Sequence, residues 1–365
     1  MKKFVSMFDY IAEFCAELAD KDPNTYFIGI DGYRYYMAGK IQEKYPDRVI
    51  GAGISEQNAI SMATGLALSG KTVYVFMIAA YATRRALDQF KFACYCNANI
   101  RVITSLSGIS HSFAGFSHMA QDDIPNIRNT PNVEVYAPHT IEEIAHIMER
   151  STTHKGPMYI ASDQYQAALS KIIKIDAENG IALSNKGKGK NLCILYEGQA
   201  GAYLHKTILP KLKYMRLRPD VYSVFRLQPL SRGKIKEIIS KYAHVVSFEL
   251  RGEGALTSSV AEIIAENSLK VKFMPIRLQN EKYDIVGYVD FLADQYLDIS
   301  HLHEKIAKFA KPFIKLHPKI KYKDANNYRI TYSLFKIPLF KVKVRDNKTR
   351  GYLFGFIRLY KHVEK

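Results

Sequence analysis

Gly53-Ile54-Ser55-Glu56-Gln57-Asn58 follows the short run Arg48-Val49-Ile50 and leads into a stretch rich in Ala, Gly and Met, 59–68. A carboxylate therefore stands where a buried strand ends and a helix begins. An acid at such a junction either complements the helix N-terminus or is a reactive group held in an apolar site. Both readings are open on these residues alone, and the surrounding pattern decides between them.

Outward from this junction, strand and helix signals alternate. Apolar and β-branched runs at 26–30, 49–52, 72–78, 100–105, 133–137 and 158–161 predict strands. Helical patterns at 35–44, 57–68 and 83–93 lie between them. Thr140-Ile141-Glu142-Glu143 is a capping box opening a further helix to about Arg150. Such alternation predicts a mostly parallel sheet covered on both faces. Ligands of these sheets sit at the carboxyl ends of the strands, where Asp31, Glu56 and the segment 107–118 fall. Residues 169–190, ending in Asn185-Lys186-Gly187-Lys188-Gly189-Lys190, read as a linker. A second α/β block fills 191–310, with strands at 192–196, 220–225, 245–249 and 270–275. The expected fold class is α/β: two three-layer α/β/α domains with mostly parallel sheets, 1–168 and 191–310, plus a basic C-terminal β-hairpin-like tail, 311–365.

Composition narrows the function classes. The 365 residues are 47% hydrophobic, as in a globular protein. No apolar run approaches the roughly 18 residues of a membrane-crossing helix. The N-terminus lacks a signal-peptide core and reads as an amphipathic helix, 4–19. Cys15, Cys94, Cys96 and Cys193 match no zinc spacing, so no metal ligands are expected, and they read as buried or idle thiols of a reducing cytoplasm. The net charge of +17 is concentrated: 311–365 hold 15 Lys/Arg against 3 acids, or +12, leaving +5 for the first 310 residues. Within this tail Leu334-Phe335-Lys336-Ile337-Pro338-Leu339-Phe340-Lys341 recurs degenerately at 353–361, with Asp346-Asn347-Lys348 as a turn between the copies. Alternating apolar and basic residues around a turn predict a hairpin with one apolar and one cationic face. A docked extension with a solvated charged face fits this pattern. So does peripheral contact with anionic lipid, at roughly 1 kcal/mol per surface cation. The basicity also suits a nucleic-acid binder in general terms, but the chain carries no nucleic-acid-binding motif and none is expected as a partner.

Six further pieces of sequence stand in a familiar order. They are 48–58, Ala63-Thr64-Gly65-Leu66-Ala67-Leu68-Ser69-Gly70, Tyr81-Ala82-Thr83-Arg84-Arg85-Ala86-Leu87-Asp88-Gln89, Gly115-Phe116-Ser117-His118, Asp122-Asp123-Ile124, and Arg128-Asn129-Thr130-Pro131-Asn132-Val133. In this order they resemble the pyrimidine-binding domain of transketolases, which depend on thiamine diphosphate, and 190–310 resemble the transketolase C-terminal domain more loosely. The resemblance implies that Glu56 hydrogen-bonds N1′ of the cofactor's aminopyrimidine, favouring the tautomer that takes the proton from the thiazolium carbon. It implies that Tyr81 stacks on the pyrimidine, that Asp31 and Ile54 lie at the cofactor, and that His118 handles substrate hydroxyls or protons, with His111 in the same loop. The activity implied is transfer of a two-carbon ketol unit between sugars.

Three departures qualify this picture. The chain has no Gly-Asp-Gly followed some 25–30 residues later by Asn, the family's site for Mg2+ and the diphosphate. It therefore resembles the C-terminal subunit of a split enzyme, completed by a separate diphosphate-binding subunit in a two-plus-two heterotetramer. Ala114 stands where the family usually has a sugar-reading Asp. Asp163 stands near the family's phosphate-binding Arg, and an acid there repels a phosphate dianion. The tail is similar to C-terminal repeats on bacterial enzymes of lipopolysaccharide and capsule assembly. Together these imply a cytoplasmic enzyme of surface-polysaccharide sugar biosynthesis whose substrate is not a simple sugar phosphate. A small subunit of a 2-oxoacid decarboxylating or dehydrogenase-like thiamine enzyme shares the two-domain plan, and acceptance of pyruvate discriminates it.

Overall fold

The computed structural model describes all residues except 1–5, 33–37, 163–171, 189–190, 280–285, 311–316, 325–326, 335–336, 346–347, 354–356 and 364–365, with side chains described up to Ala310. The chain forms two compact units, Met1–Ala310 and Lys311–Lys365.

The first unit contains two sheets. In the first, β1 (Thr25–Gly29), β2 (Val49–Gly51), β3 (Thr72–Ile78), β4 (Ile100–Ser105), β5 (Glu134–Tyr136) and β6 (Met158–Ala161) all run parallel. β3 shows why the sheet is covered on both sides. Its residues Val73, Val75 and Met77 join the core beneath helices Glu56–Leu68 and Leu87–Tyr95, while Tyr74 and Phe76 join the core beneath helices Met7–Lys21 and Ile141–Thr153. A period of two places alternate residues on opposite faces, so a strand apolar throughout needs a helical layer on each.

The second sheet comprises β7 (Lys174–Asp176), β8 (Ile181–Asn185), β9 (Leu192–Tyr196), β10 (Asp220–Val224), β12 (His244–Phe248) and β13 (Lys272–Ile276) in the order β13-β12-β9-β10-β8-β7. β11 (Arg226–Gln228) crosses back and pairs antiparallel with β5, making the first sheet seven-stranded in the order β11-β5-β6-β4-β3-β1-β2.

The capping box at Thr140 is present in full. Thr140 Oγ1 accepts from the Glu143 N–H at 3.2 Å, and Glu143 Oε2 accepts from the Thr140 N–H at 3.1 Å. The N-terminal helix starts later than its sequence pattern predicts, at Met7, because Ser6 and Asp9 form a capping box of their own.

Two further differences from the sequence reading concern the first unit. The stretch read as a linker carries β7 and β8, an antiparallel pair on the edge of the second sheet. An edge strand has one neighbour and tolerates the polar residues that make a segment look like a connection. The helix expected over 83–93 begins only at Leu87 and runs to Tyr95, after a separate short helix at Ala79–Ala82. Between them the N–H groups of Arg85 and Ala86 both donate to the Tyr81 carbonyl, closing a tight turn.

The second unit is an antiparallel meander of five strands, β14 (His317–Asp324), β15 (Asn327–Leu334), β16 (Ile337–Arg345), β17 (Lys348–Leu353) and β18 (Ile357–Val363), each paired with the next. The tail is thus a sheet rather than a single hairpin. Both copies of the repeat sit at connections, β15 to β16 and β17 to β18. The expected turn falls between Arg345 and Lys348, with Asp346 and Asn347 outside the described residues.

Candidate active site

Parallel strands deliver their following loops to one edge of the sheet, and the order β2-β1-β3-β4 makes four of those loops neighbours. Two residues past β1 stands Asp31, an exposed residue with φ of 51°, whose N–H donates to the Gly53 carbonyl at 3.0 Å. β2 leads through Gly53, at φ of 64°, into the first turn of helix Glu56–Leu68. A left-handed conformation at this turn favours glycine, and it brings the backbone sharply from strand to helix. Ser55 makes no side-chain cap; its hydroxyl donates to Ala52 O at 2.6 Å. Glu56 is therefore left as the acid at the helix start.

The Glu56 side chain is 4% exposed. Its Oε1 accepts from Arg85 Nη1 at 3.1 Å. The Arg85 guanidinium carbon lies 4.0 Å from the centroid of the Tyr81 ring. Tyr81 Oη lies 3.2 Å from His118 Nε2, and His118 Nδ1 lies 2.9 Å from Ser117 Oγ. The His118 and His111 rings are 5.4 Å apart. Glu56, Arg85, Tyr81, His118 and His111 thus form a continuous string across three loops. Burial, and then the neighbouring His118, hold the His111 pKa below the ordinary histidine value. Its Nδ1 is buried without a hydrogen-bond partner among the described residues. A neutral imidazole with an unpaired nitrogen keeps the capacity for one more hydrogen bond.

Of the residues singled out in the sequence, the structure brings Glu56, Tyr81, His118 and His111 into this string. Asp31 is tied to it through backbone. Ile54 is 71% exposed beside the acid, and Asp163 lies outside the described residues. Further exposed apolar groups follow in the histidine loop, with Phe116 at 70% exposure. Phe113 lies 5.9 Å from the ring of Tyr288.

Two residues without an assigned role in the sequence reading hold the site together. Arg85 is one; it follows Tyr81 by four positions, which brings its guanidinium back over that ring. Arg84 is the other. Its Nη1 donates to Phe116 O at 2.6 Å and its Nη2 to Asp122 Oδ1 at 3.0 Å, pinning the histidine loop.

The root of that loop is fixed by a buried ionic cluster. Arg251, after β12, donates from Nε to Asp123 Oδ1 at 2.6 Å and from Nη1 to Glu197 Oε1 at 2.6 Å, and it bonds Ser107 through Nη2. Ser107 Oγ in turn donates to Asp123 Oδ2 at 2.9 Å. The loop thus begins and ends on one arginine supplied by the second sheet. Beside it Glu249 is buried, and desolvation together with the Glu197 charge pushes its pKa up to about 8.

Among the described residues, no group of three or more His, Cys, Asp or Glu is placed to hold a metal ion. No described helix is long and apolar enough to cross a membrane.

Comparison with known proteins bears on this geometry. Residues 3–166 match the family model for the transketolase pyrimidine-binding domain. The chain is 26% identical over 298 residues to a 6-deoxy-6-sulfo-D-fructose transketolase subunit of Clostridium sp. strain MSTE9, covering 79% of this chain and 89% of that one. It is 28% identical over 250 residues to an apulose-4-phosphate transketolase subunit of Actinobacillus succinogenes, covering 67% and 79% respectively. In fold it resembles a split-gene transketolase solved as an inactive β4 tetramer, with a TM-score of 0.71, 22% identity, and coverage of 85% of this chain and 100% of that one. Residues 3–166 thus match a transketolase pyrimidine-binding domain, and over most of its length the chain is similar to subunits of split transketolases.

Proposed function

We propose that this chain is the pyrimidine-binding subunit of a split, thiamine-diphosphate-dependent transketolase that moves a two-carbon ketol unit between sugars. The observation that carries the reading is the string from Glu56 through Arg85 and Tyr81 to His118 and His111. The site fits the cofactor's aminopyrimidine, because a planar N–H donor, the Arg85 guanidinium, already spans the buried acid and the tyrosine ring. A flat heterocycle bearing a donor needs those same two partners. Glu56 would hold a proton at pyrimidine N1′, and Tyr81, Ile54 and Asp31 would bound the ring. The cofactor, when bound, supplies the carbon nucleophile and electron sink. For the ring to take its place Arg85 must move aside, which its half-exposed side chain permits. His118, held by the Tyr81 hydroxyl and Ser117, would exchange protons with substrate hydroxyls, and a neutral His111 would bond one.

The diphosphate and Mg2+ would be held by a separate diphosphate-binding subunit, in a heterotetramer. Exposed Ile54, Phe113 and Phe116 beside the buried acid suit coverage by such a partner. Ala114 and Asp163 argue for a substrate other than a simple ketose or aldose phosphate, such as a nucleotide-linked sugar of bacterial surface-polysaccharide biosynthesis. Of the relatives, one is named for a sulfonated fructose and another for a sugar phosphate, so the substrate reading rests on Ala114 and Asp163. The place of action is the cytoplasm, with the basic tail in contact with the inner face of the membrane. The test is ketol transfer by the complex of this chain with its partner subunit, across sugar phosphates, nucleotide-linked sugars and pyruvate. Full-speed turnover of xylulose 5-phosphate with ribose 5-phosphate would overturn the substrate reading. Turnover of pyruvate instead of a ketose would overturn ketol transfer.

A further inference from the structure

The register of the tail sheet segregates charge more sharply than its sequence suggests. Lys321 pairs with Arg329, Arg329 with Lys343, Lys343 with Arg350, and Arg350 with Lys361. Five cations thus hold one row across all five strands, spanning roughly four strand spacings of about 4.8 Å, or about 19 Å. The same alternation puts Lys319, Lys341, Arg345 and Lys348 on that face of the sheet, and a register shift at Gly351 and Tyr352 pairs Arg358 with Tyr352 there. The neighbouring row, Ile320-Ile330-Val342-Gly351-Tyr360, belongs to the opposite face, as does the row Tyr322-Tyr328-Val344-Thr349-His362. Neither of these rows contains a Lys or Arg.

Like charges directly opposite each other destabilise a strand pair. A row that repeats this conflict at every interface of the sheet is relieved in part by salt screening and further by anions shared among its members. The array extends along the strands as well as across them, so it matches a two-dimensional anionic surface better than a single phosphate. Single-stranded nucleic-acid platforms interleave aromatic residues with cations so that bases stack beside the neutralised backbone. Here Tyr322, Tyr328 and Tyr360 belong to the opposite face, and the cation face carries Tyr352 as a single aromatic position rather than an interleaved series.

We propose that the face carrying Lys321, Arg329, Lys343, Arg350 and Lys361 is a docking surface for anionic lipid headgroups. This deepens the membrane reading above and is independent of the catalytic one. The shared chemistry is phosphate, and the source is the bilayer surface.

The test is sedimentation of the full-length chain with phosphatidylcholine vesicles containing or lacking phosphatidylglycerol. The row variant is Arg329→Gln/Lys343→Gln/Arg350→Gln. The control removes the same charge from exposed positions of the first unit, Lys213→Gln/Arg216→Gln/Lys236→Gln. Wild type and control are expected to bind only the anionic vesicles and to be released by high salt. The row variant is expected to bind about a hundredfold more weakly, at roughly fivefold per cation. Equal loss in both variants would reduce the effect to net charge and overturn the row while leaving the membrane reading standing. No binding of wild type would overturn both. Tighter binding to single-stranded DNA than to vesicles at physiological salt, or release from vesicles by millimolar inorganic phosphate, would overturn the lipid assignment. Circular dichroism checks that the row variant folds, and the salt dependence of wild-type binding tests the charge argument without any variant.

Discussion

Arg251→Met should destabilise the first unit severely without touching a group that meets the cofactor. Arg251 is the counter-cation for Asp123 and Glu197, whose side chains, like its own, are almost wholly inaccessible to solvent. Methionine fills comparable volume, so the loss is electrostatic. Removing one partner of such a cluster leaves buried carboxylates uncompensated and costs about 3–5 kcal/mol. With an unfolding entropy of roughly 2.1 cal/mol/K per residue over the first unit, Tm falls by about 5–8 °C. The assay is thermal and urea unfolding at pH 7. The deficit should shrink at lower pH, where Glu197, whose pKa burial pushes up, takes up a proton and no longer needs a cation. Replacing the whole cluster, Arg251→Met/Asp123→Leu/Glu197→Met, should recover most of the loss, because the buried charges leave together. A loss below about 1 kcal/mol in Arg251→Met, or a deficit independent of pH, would refute the account of this cluster.

Three further outcomes follow from the same structure. Glu249, with its pKa pushed up to about 8 when folded, keeps a proton that the unfolded chain releases near 4.5, so stability falls as pH rises through that window by up to about 1.4 kcal/mol per unit. Between pH 7 and 8 the buried His139 and His205, held low at about 3 and about 4 by desolvation, no longer contribute; there Glu249→Gln should flatten the slope in urea titrations, and an unchanged slope would count against the assignment. Tyr81→Phe keeps the ring but loses the 3.2 Å contact to His118. It should lower kcat/KM about five- to tenfold, the worth of one hydrogen bond, with cofactor affinity unchanged; loss of cofactor affinity would show that the hydroxyl serves the cofactor instead. Arg85→Met removes the cation from Glu56 and from the Tyr81 ring. Calorimetry should show thiamine diphosphate bound about fivefold more tightly by the complex, and weaker binding would show that Arg85 supports the ring rather than occupying its place.

The parallel sheet and the acid at its edge were legible because local signals agree there. β-branched runs mark the strands, Gly53 marks the turn, and a small-residue helix follows Glu56. Tyr81, His111 and His118 were legible only as parts of ordered motifs, since an isolated histidine carries no such information. Arg85 was within reach, four positions after Tyr81, but a guanidinium on a helix ordinarily reads as a solvated charge. Arg251 was not legible. Its partners Asp123 and Glu197 lie 128 and 54 residues away, and no local pattern announces a contact of that span. β11 has three residues, too few for a period, and joins a sheet assembled from the other block. In the tail the alternation in Lys319-Ile320-Lys321-Tyr322 and in Tyr328-Arg329-Ile330-Thr331-Tyr332 was there to be read. The repeat predicts a hairpin, whereas register across five strands, which only pairing reveals, produces the cation row.

The central claim is that Glu56 activates a cofactor whose site this chain shares with a second subunit. It is tested most directly by calorimetric titration of thiamine diphosphate with Mg2+ into this chain alone, into its complex with the diphosphate-binding subunit, and into the Glu56→Gln complex. The account predicts binding by the complex and not by the chain alone, with turnover lost in Glu56→Gln while the complex stays assembled. Tight binding by the chain alone, or full turnover in Glu56→Gln, would contradict it.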